Sequence, residues 1–201
     1  ENIGKKKCPI VDTWWQTETA GILISTLAGV TPPIPSWATL PLPGVQPVLM
    51  DENGDEATEK DENGLTKGNL CMKAPWPGIL RTTYGDHERF RKNYFSAYPG
   101  LYFSGDGALR DEQGNYRITG RVDDVLNVSG HRIGTAEIEN AINMHASVVE
   151  SAVVGYSHPI KGQGVYAFVI TEKKHPEDER SKQDILETVS RVIGPIAKPD
   201  K

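Results

Sequence analysis

The chain holds 201 residues, with 22 Lys and Arg against 27 Asp and Glu for a net charge of −5. That balance excludes a basic surface for nucleic acid or an anionic membrane. An apolar content of 37% with four Trp excludes a disordered chain, and two cysteines, Cys8 and Cys71, make no disulfide framework and fit a reducing compartment, the cytoplasm.

No signal-peptide pattern opens the sequence. It begins at Glu1 rather than Met, as a processed chain or a fragment would. The longest apolar-leaning run, Ala20 to Val30, is broken by Ser25, Thr26 and glycines and is too short to span a membrane. Its β-branched residues, with Gly21 and Gly29, predict strand and turn rather than a long helix. Residues 31–47 hold six of the 14 prolines and read as an extended connector. From Val45 the pattern becomes short strands and turns. Three turns share a text: Asp51-Glu-Asn-Gly54, Asp61-Glu-Asn-Gly64 and Asp111-Glu-Gln-Gly114. Each offers an Asx start and a glycine for positive φ, which is hairpin chemistry.

Tyr116 to Gly120 closes a hairpin, and a boundary is placed near Asp123. Beyond it Val125 to Ile133 is strand-like with Ser129-Gly130-His131 as its turn. Thr135 is a candidate helix cap, with Ile138, Ala141 and Ile142 on one face. Val148 to Tyr156 and Val165 to Thr171 are apolar strands, and Ile185, Val189 and Val192–Ile193 recur at helical spacing. Residues 123–201 thus read as β-hairpin, α, β, β, α, a small α+β domain after a β-rich portion, 1–122.

Several motifs could carry chemistry. Asp51-x-Asn53-x-Asp55 imitates a calcium loop, but Glu56 stands where the sharp turn needs glycine, so an acidic hairpin turn is preferred. Gly162-x-Gly164-x-x-Ala167 has the letters of a dinucleotide fingerprint, yet a strand follows it and the reading is rejected. The histidines (His87, His131, His145, His158, His175) show no zinc spacing. Asp12-Thr-Trp-Trp-Gln-Thr-Glu18 gathers two indoles, hydroxyls and carboxylates, suited either to a flat heterocycle or to a buried aromatic turn. Within it Thr17 could donate to a phosphate and Glu18 could hold Mg²⁺. Ser104-Gly-Asp106-Gly107 sets a carboxylate between glycines, either a tight turn or an acceptor for two ribose hydroxyls. Arg121 and Arg132 flank the glycine turn Ser129-Gly130 and suit phosphates, or form a solvated pair.

Taken together, four strings resemble the adenylate-forming superfamily (acyl-CoA synthetases, adenylation domains and luciferases), and within it the AMP-forming acetate–CoA ligases. They are Val11-Asp-Thr-Trp-Trp-Gln-Thr-Glu-Thr19, Pro75-Trp-Pro-Gly78, Tyr102-Phe-Ser-Gly-Asp-Gly107, and the run from Ile118 through Gly120-Arg-Val-Asp-Asp124 and Ser129-Gly-His-Arg132 to Glu139. The resemblance implies the C-terminal β-rich part of a large domain plus a small mobile α+β domain. It implies ATP, coenzyme A and acetate as substrates, with Mg²⁺ and no prosthetic group. Nucleic acid and membrane are not expected partners, and the oligomeric state is open.

By the same resemblance, Asp12, Thr13, Trp14, Trp15, Gln16 and Thr17 surround adenine and the α-phosphate, and Glu18 holds Mg²⁺. Trp15 closes the acyl pocket around acetate-sized acids. Asp106 and Arg121 hold the ribose, and Arg132 contacts the AMP phosphate. Ser129, Gly130 and Arg191 lie along coenzyme A, and Asp123 is the hinge between domains. His145, with the backbone carbonyls of Asn143 and Val148, matches a structural cation loop. There are departures. Ala20-Gly21 replaces a Gly-Gly pair, and Ser190 stands where some members carry an arginine for coenzyme A, with Arg191 beside it. The family's phosphate loop and its lysine segment Pro-Lys-x-x-x-Gly-Lys are not in these 201 residues. The chain is therefore expected to be a fragment, inactive alone. A propionyl-CoA synthetase and a non-catalytic nucleotide- or CoA-binding module remain the alternatives.

Overall fold

Asparagines and glycines at fixed offsets from an aspartate build the three hairpin turns, and the computed structural model shows how. It describes residues 4, 5, 7–172 and 178–201, so His175 lies outside the described residues. In each turn the leading aspartate turns its carboxylate onto the turn's own backbone. Asp51 Oδ1 accepts from the Asn53 and Asp55 N–H groups, both at 2.9 Å. Asp61 does the same for Asn63 and Leu65, and Asp111 for Asn115. The closing glycines Gly54, Gly64 and Gly114 take φ of 90°, 76° and 84°. Asp51 serves a hairpin, as the Glu56 argument required.

The chain divides into two units, Glu1–Thr119 and Gly120–Lys201. In the first, β1 (Thr13–Gln16) and β2 (Gly21–Ser25) form an antiparallel pair. A second sheet runs β3 (Pro47–Met50), β4 (Thr66–Met72), β5 (Tyr102–Arg110) and β6 (Tyr116–Arg121), in that order. The proline-rich connector is extended as expected. It ties the two together: Ser25 N–H donates to Leu40 O, and Thr39 exchanges both backbone bonds with Tyr116.

Where β3 meets the end of β4, both faces of the second sheet are covered, so Val48–Met50 and Leu70–Met72 read as continuous apolar runs rather than alternations. Leu49, Leu70 and Met72 face one cluster with Trp14, Ile24 and Tyr102, while Val48, Met50, Cys71 and Tyr98 form another. Gly68 is required here, because a Cβ would sit 2.9 Å from both Leu49 Cβ and Met50 O.

One helix, α1 (His87–Phe95), has no counterpart in the sequence reading. Its signal is weak: only Phe90 is buried, and Tyr94 follows one turn later. Asp86 caps it by accepting from Arg89 N–H at 3.0 Å.

The second unit has the expected order. β7 (Val125–Val128) and β8 (His131–Gly134) form the hairpin, then α2 (Thr135–Asn143), β9 (Val148–His158), β10 (Gly162–Thr171) and α3 (Glu179–Val192) follow. The sheet order is β8-β7-β10-β9. Ile138, Ala141 and Ile142 of α2 pack with Ile185 and Val189 of α3 onto Leu126, Val128, Val153 and Val165. The cap of α2 differs from expectation: Gly134 occupies the N-cap, and Thr135 is already helical, so its hydroxyl caps nothing. The extended backbone of β8 runs directly into the helix and leaves no residue between them. Gly162–Ala167 lies in β10, which agrees with rejecting the dinucleotide reading. Among the described residues no helix is long and apolar enough to cross a membrane.

Two measurements check this packing. Burial pushes the Cys71 thiol up to about 12, and Cys8 is exposed. A disulfide reagent at neutral pH should therefore titrate one thiol in the folded chain and two after denaturation. At the other end, burial alone would raise the Asp200 carboxyl, but Lys161 and the Val165 N–H outweigh it and hold it below its ordinary value. The folded state thus binds this proton less tightly than the unfolded chain. The contribution is complete above the unfolded carboxylate value of about 3.9 and is lost as pH falls through the folded one. Asp200→Asn should flatten the acid limb of stability against pH below about pH 4.

Candidate active site around Asp106

A carboxylate taken out of water needs donors, and the first unit supplies them from β1. Asp106 is not in a tight turn between glycines. It lies on a bulge inside β5: Asn69 pairs with Gly107 and Cys71 with Phe103, so β5 carries extra residues at this point. Gly105 takes φ 77° there. Ser104 stabilises the bulge, its hydroxyl donating to Leu70 O at 2.8 Å and accepting from Asp106 N–H at 3.0 Å. The bulge brings the Asp106 carboxylate against β1. Trp14 Nε1–H and Gln16 Nε2 both donate to its Oδ2 at 2.9 Å. Gln16 Nε2 also donates to Ser104 O at 2.8 Å.

Aromatic residues extend this network. Tyr102 O–H donates to Gln16 Oε1 at 2.8 Å. The Tyr102 ring stacks on Tyr94 of α1 at 5.6 Å and 10°, and the Tyr94 hydroxyl donates to Glu18 Oε1. Trp76 meets Tyr102 edge-on at 5.4 Å and donates its indole N–H to Thr19 O at 2.9 Å. Thr19 is buried and closes the 3-10 turn 17–19, accepting from Gln16 N–H at 2.9 Å. The Pro75–Gly78 string earns its place here, since a Cβ at Gly78 would meet Thr19 O at 3.0 Å and Ala20 Cβ at 3.2 Å. Ala20 itself sits at φ 53°, where a side chain costs about 1–2 kcal/mol. A glycine there would carry no such cost, which is the physical content of the Ala20 departure.

Strand alternation sorts the other candidates in this unit. Trp14 and Gln16 face inward, while Thr13, Trp15 and Thr17 are exposed. Trp15 is 57% exposed and Trp14 only 5%. Trp14 therefore acts on the site through Asp106. Asp12 is exposed and accepts from Ser36 N–H at 3.0 Å. Glu18 offers a half-buried carboxylate with one oxygen turned to Tyr94. One carboxylate with water and substrate phosphates is the way Mg²⁺ is usually held, so Glu18 fits that role. Tyr94 is not singled out by the sequence, and Trp76 and Tyr102 stand in the resemblance strings with no role given, because their roles depend on contacts far apart in the chain. The Asp86 cap with Phe90 and Tyr94 at i, i+4 was the available clue to α1.

In the second unit, Arg121 forms a two-pronged ion pair with Asp123, Nε to Oδ1 at 2.9 Å and Nη2 to Oδ2 at 3.3 Å. Arg121 holds the Asp123 carboxyl below its ordinary value. Ser129 and Gly130 make the β7–β8 turn at φ 52° and 86°, and Arg132 is exposed on β8. Arg191 lines an open concavity of about 610 Å³ with Met144, His145, Ala146, Asp184, Glu187 and Thr188. Asn143 Oδ1 accepts from Ser151 Oγ, His145 Nδ1 bonds Ser147 Oγ, and His145 O accepts from Val148 N–H. Among the described residues no three His, Cys, Asp or Glu gather as a metal site.

Comparison with known families places the second unit. Residues 137–201 match the family described as AMP-binding enzyme C-terminal domain. The similarity of the chain as a whole reaches further than that domain. It is 57% identical over 199 residues to the acetyl-coenzyme A synthetase of Syntrophobacter fumaroxidans, covering 99% of this chain and 30% of the relative. It is 56% identical over 201 residues to the acetyl-coenzyme A synthetase of Brucella canis, again 99% and 30%. The chain thus spans about a third of the length of the curated relatives it matches. Among solved structures, ATP-bound MatB from Rhodopseudomonas palustris is 27% identical with a TM-score of 0.79, over 96% of this chain and 36% of that one. The mixed α/β fold, with three sheets and three α-helices among the described residues, is that of the C-terminal part of adenylate-forming enzymes.

Trp14→Phe removes an indole donor to Asp106 Oδ2 and should destabilise the first unit by about 1–3 kcal/mol. Tyr102→Phe, which removes the donor to Gln16 Oε1, should cost about 1 kcal/mol. Urea denaturation read by fluorescence of the remaining indoles checks both.

Proposed function

We propose that this chain is the C-terminal portion of an AMP-forming acetate–CoA ligase. Identity of 57% along 99% of the chain with a protein of that name carries the reading. The whole enzyme joins acetate and ATP into acetyl-adenylate and pyrophosphate. The coenzyme A thiol then attacks the acetyl carbonyl, forming the thioester and releasing AMP.

The first step brings two anions together, so its barrier is electrostatic. In this reading Asp106 accepts the ribose hydroxyls, and Trp14 and Gln16 fix the orientation of its carboxylate in advance. Arg121 shares the ribose and exchanges its Asp123 partner when the hinge at Asp123 turns. Asp12, Thr13 and Gln16 border adenine, Thr17 donates to the α-phosphate, and Glu18 holds Mg²⁺, which neutralises phosphate charge. The exposed face of Trp15 limits the acyl pocket. In the second unit Arg132 contacts the AMP phosphate, and Ser129, Gly130 and Arg191 line coenzyme A. Asn143, His145 and Val148 form a loop of the same unit that could hold a structural cation. The enzyme works in a reducing, cytoplasmic setting.

The test uses the full-length protein that contains this segment. It should exchange pyrophosphate into ATP with acetate and release AMP only when coenzyme A is added. Asp106→Asn should lower kcat/KM for ATP by about 10- to 100-fold, the worth of hydrogen bonds to a charged group. Trp15→Gly should shift preference from acetate to longer acids, since each methylene is worth about 1–3 kcal/mol. Faster turnover of propionate than acetate by the wild type would reassign the substrate. No carboxylate-dependent exchange at all would end the reading.

A further inference from the structure

The turn Ser129–Gly130 is left-handed at two successive residues, φ 52° and 86°. Ser129 is not a glycine, so this conformation costs about 1–2 kcal/mol and persists only if its surroundings impose it. The surroundings are the tip of the β9–β10 hairpin. Ser129 N–H donates to Lys161 O at 2.9 Å. One residue earlier Val128 pairs with Gly162. One residue before that, Asn127 N–H donates to the Gln163 side-chain Oε1 at 2.6 Å. Three consecutive residues of β7 and its turn are thus tied to three consecutive residues of the hairpin tip.

The tip is in turn anchored. His158 Nδ1 accepts from the Ile160 and Lys161 N–H groups at 3.2 and 3.1 Å. The Lys161 ammonium forms an ion pair with Asp200 Oδ1, and the two side chains are only 34% and 18% exposed. Asp200 Oδ2 accepts from Val165 N–H at 3.0 Å, and Asp200 N–H donates to Val165 O at 2.8 Å. An unbroken series of bonds therefore runs from the end of the chain through Asp200 and Lys161 to the strained turn. The Lys161 side chain points at Asp200, so only its backbone carbonyl serves the turn.

We propose that Lys161 and Asp200 are positioning residues for the Ser129–Gly130 turn, holding it in the shape that receives coenzyme A without touching coenzyme A themselves. The proposal rests on the reading of that turn as a coenzyme A subsite. Losing the ion pair lets the hairpin tip relax and loosens the Lys161 carbonyl from Ser129. The effect falls on the thioester-forming step, and adenylate formation is spared.

The experiment compares the two half-reactions in the full-length protein. Lys161→Met and Asp200→Asn should each raise KM for coenzyme A by about five- to tenfold while acetate-dependent ATP–pyrophosphate exchange stays at the wild-type rate. Lys161→Arg, which keeps the ion pair, should restore KM. Hydrogen exchange in the peptide holding Ser129 should quicken in Lys161→Met and not in Lys161→Arg. Gly130→Ala tests the underlying reading: it meets no atom within 4 Å but strains the turn, and should raise KM for coenzyme A. If Gly130→Ala raises KM and Lys161→Met does not, the positioning role is overturned and the subsite reading survives. If Lys161→Met slows both half-reactions equally, its role is general stability and the proposal falls. If Gly130→Ala leaves KM unchanged, the turn is not a coenzyme A subsite, and the proposal falls with that reading.

Discussion

One buried carboxylate organises the first unit. Asp106 is 7% exposed, and a carboxylate so placed is tolerated only with donors fixed around it. Trp14 and Gln16 meet that demand from a strand 90 residues earlier, with sequence separations of 92 and 90. Much else in the unit serves the same contact. The β5 bulge aims the carboxylate, and the Ser104 hydroxyl holds the bulge. Tyr102 orients the Gln16 amide so that its nitrogen faces Asp106, and Trp76 and Thr19 fix the turn that follows β1. A carboxylate held this way has its orientation fixed in advance.

A different economy governs the second unit. Its helices cover a four-stranded sheet with aliphatic side chains. Arg121 with Asp123 and Lys161 with Asp200 are two of its ion pairs. They differ in character. The Arg121–Asp123 pair is largely solvated and so contributes little to stability. The Lys161–Asp200 pair is half-buried and reinforced by backbone bonds from Val165, which suits a fixed anchor.

A candidate turn in each unit has positive φ at a residue with a side chain, a conformation that Lys5, Ser36 and Thr39 share. Ala20 follows the Thr17–Glu18–Thr19 turn, and Ser129 opens the β7–β8 turn. The hairpins with Asp-Glu-Asn-Gly or Asp-Glu-Gln-Gly text place glycine at the strained position and have no strain to hold. Where strain is kept, the structure supplies partners for it: Trp76, Gly78 and Thr19 around Ala20, and the Lys161 carbonyl for Ser129.

Short-range rules made much of the fold legible. Asx turns with glycine, proline's exclusion from helices and the i, i+3, i+4 spacing of Ile138, Ala141 and Ile142 act within a few residues, so the hairpins, the connector and the β-hairpin, α, β, β, α order of the second unit could be read directly. The motif strings likewise carried the family resemblance, because they are contiguous. Tertiary structure decided what depended on distant partners. Nothing local said that Asp106 would stand on a bulge rather than in a turn, or that Trp14 would be buried beneath the site while Trp15 stayed exposed. Helix α1 is held by Tyr94 and Phe95 packing on Tyr102, beyond its own sequence, so its local signal was faint. The strand running straight into α2 moved the cap from Thr135 to Gly134. Sequence by itself thus determined the local turns and strands and the strings that carry the resemblance; only the folded chain, by pairing groups 92 and 36 positions apart, decided which of the candidate residues are exposed and which are buried and hold the others in place.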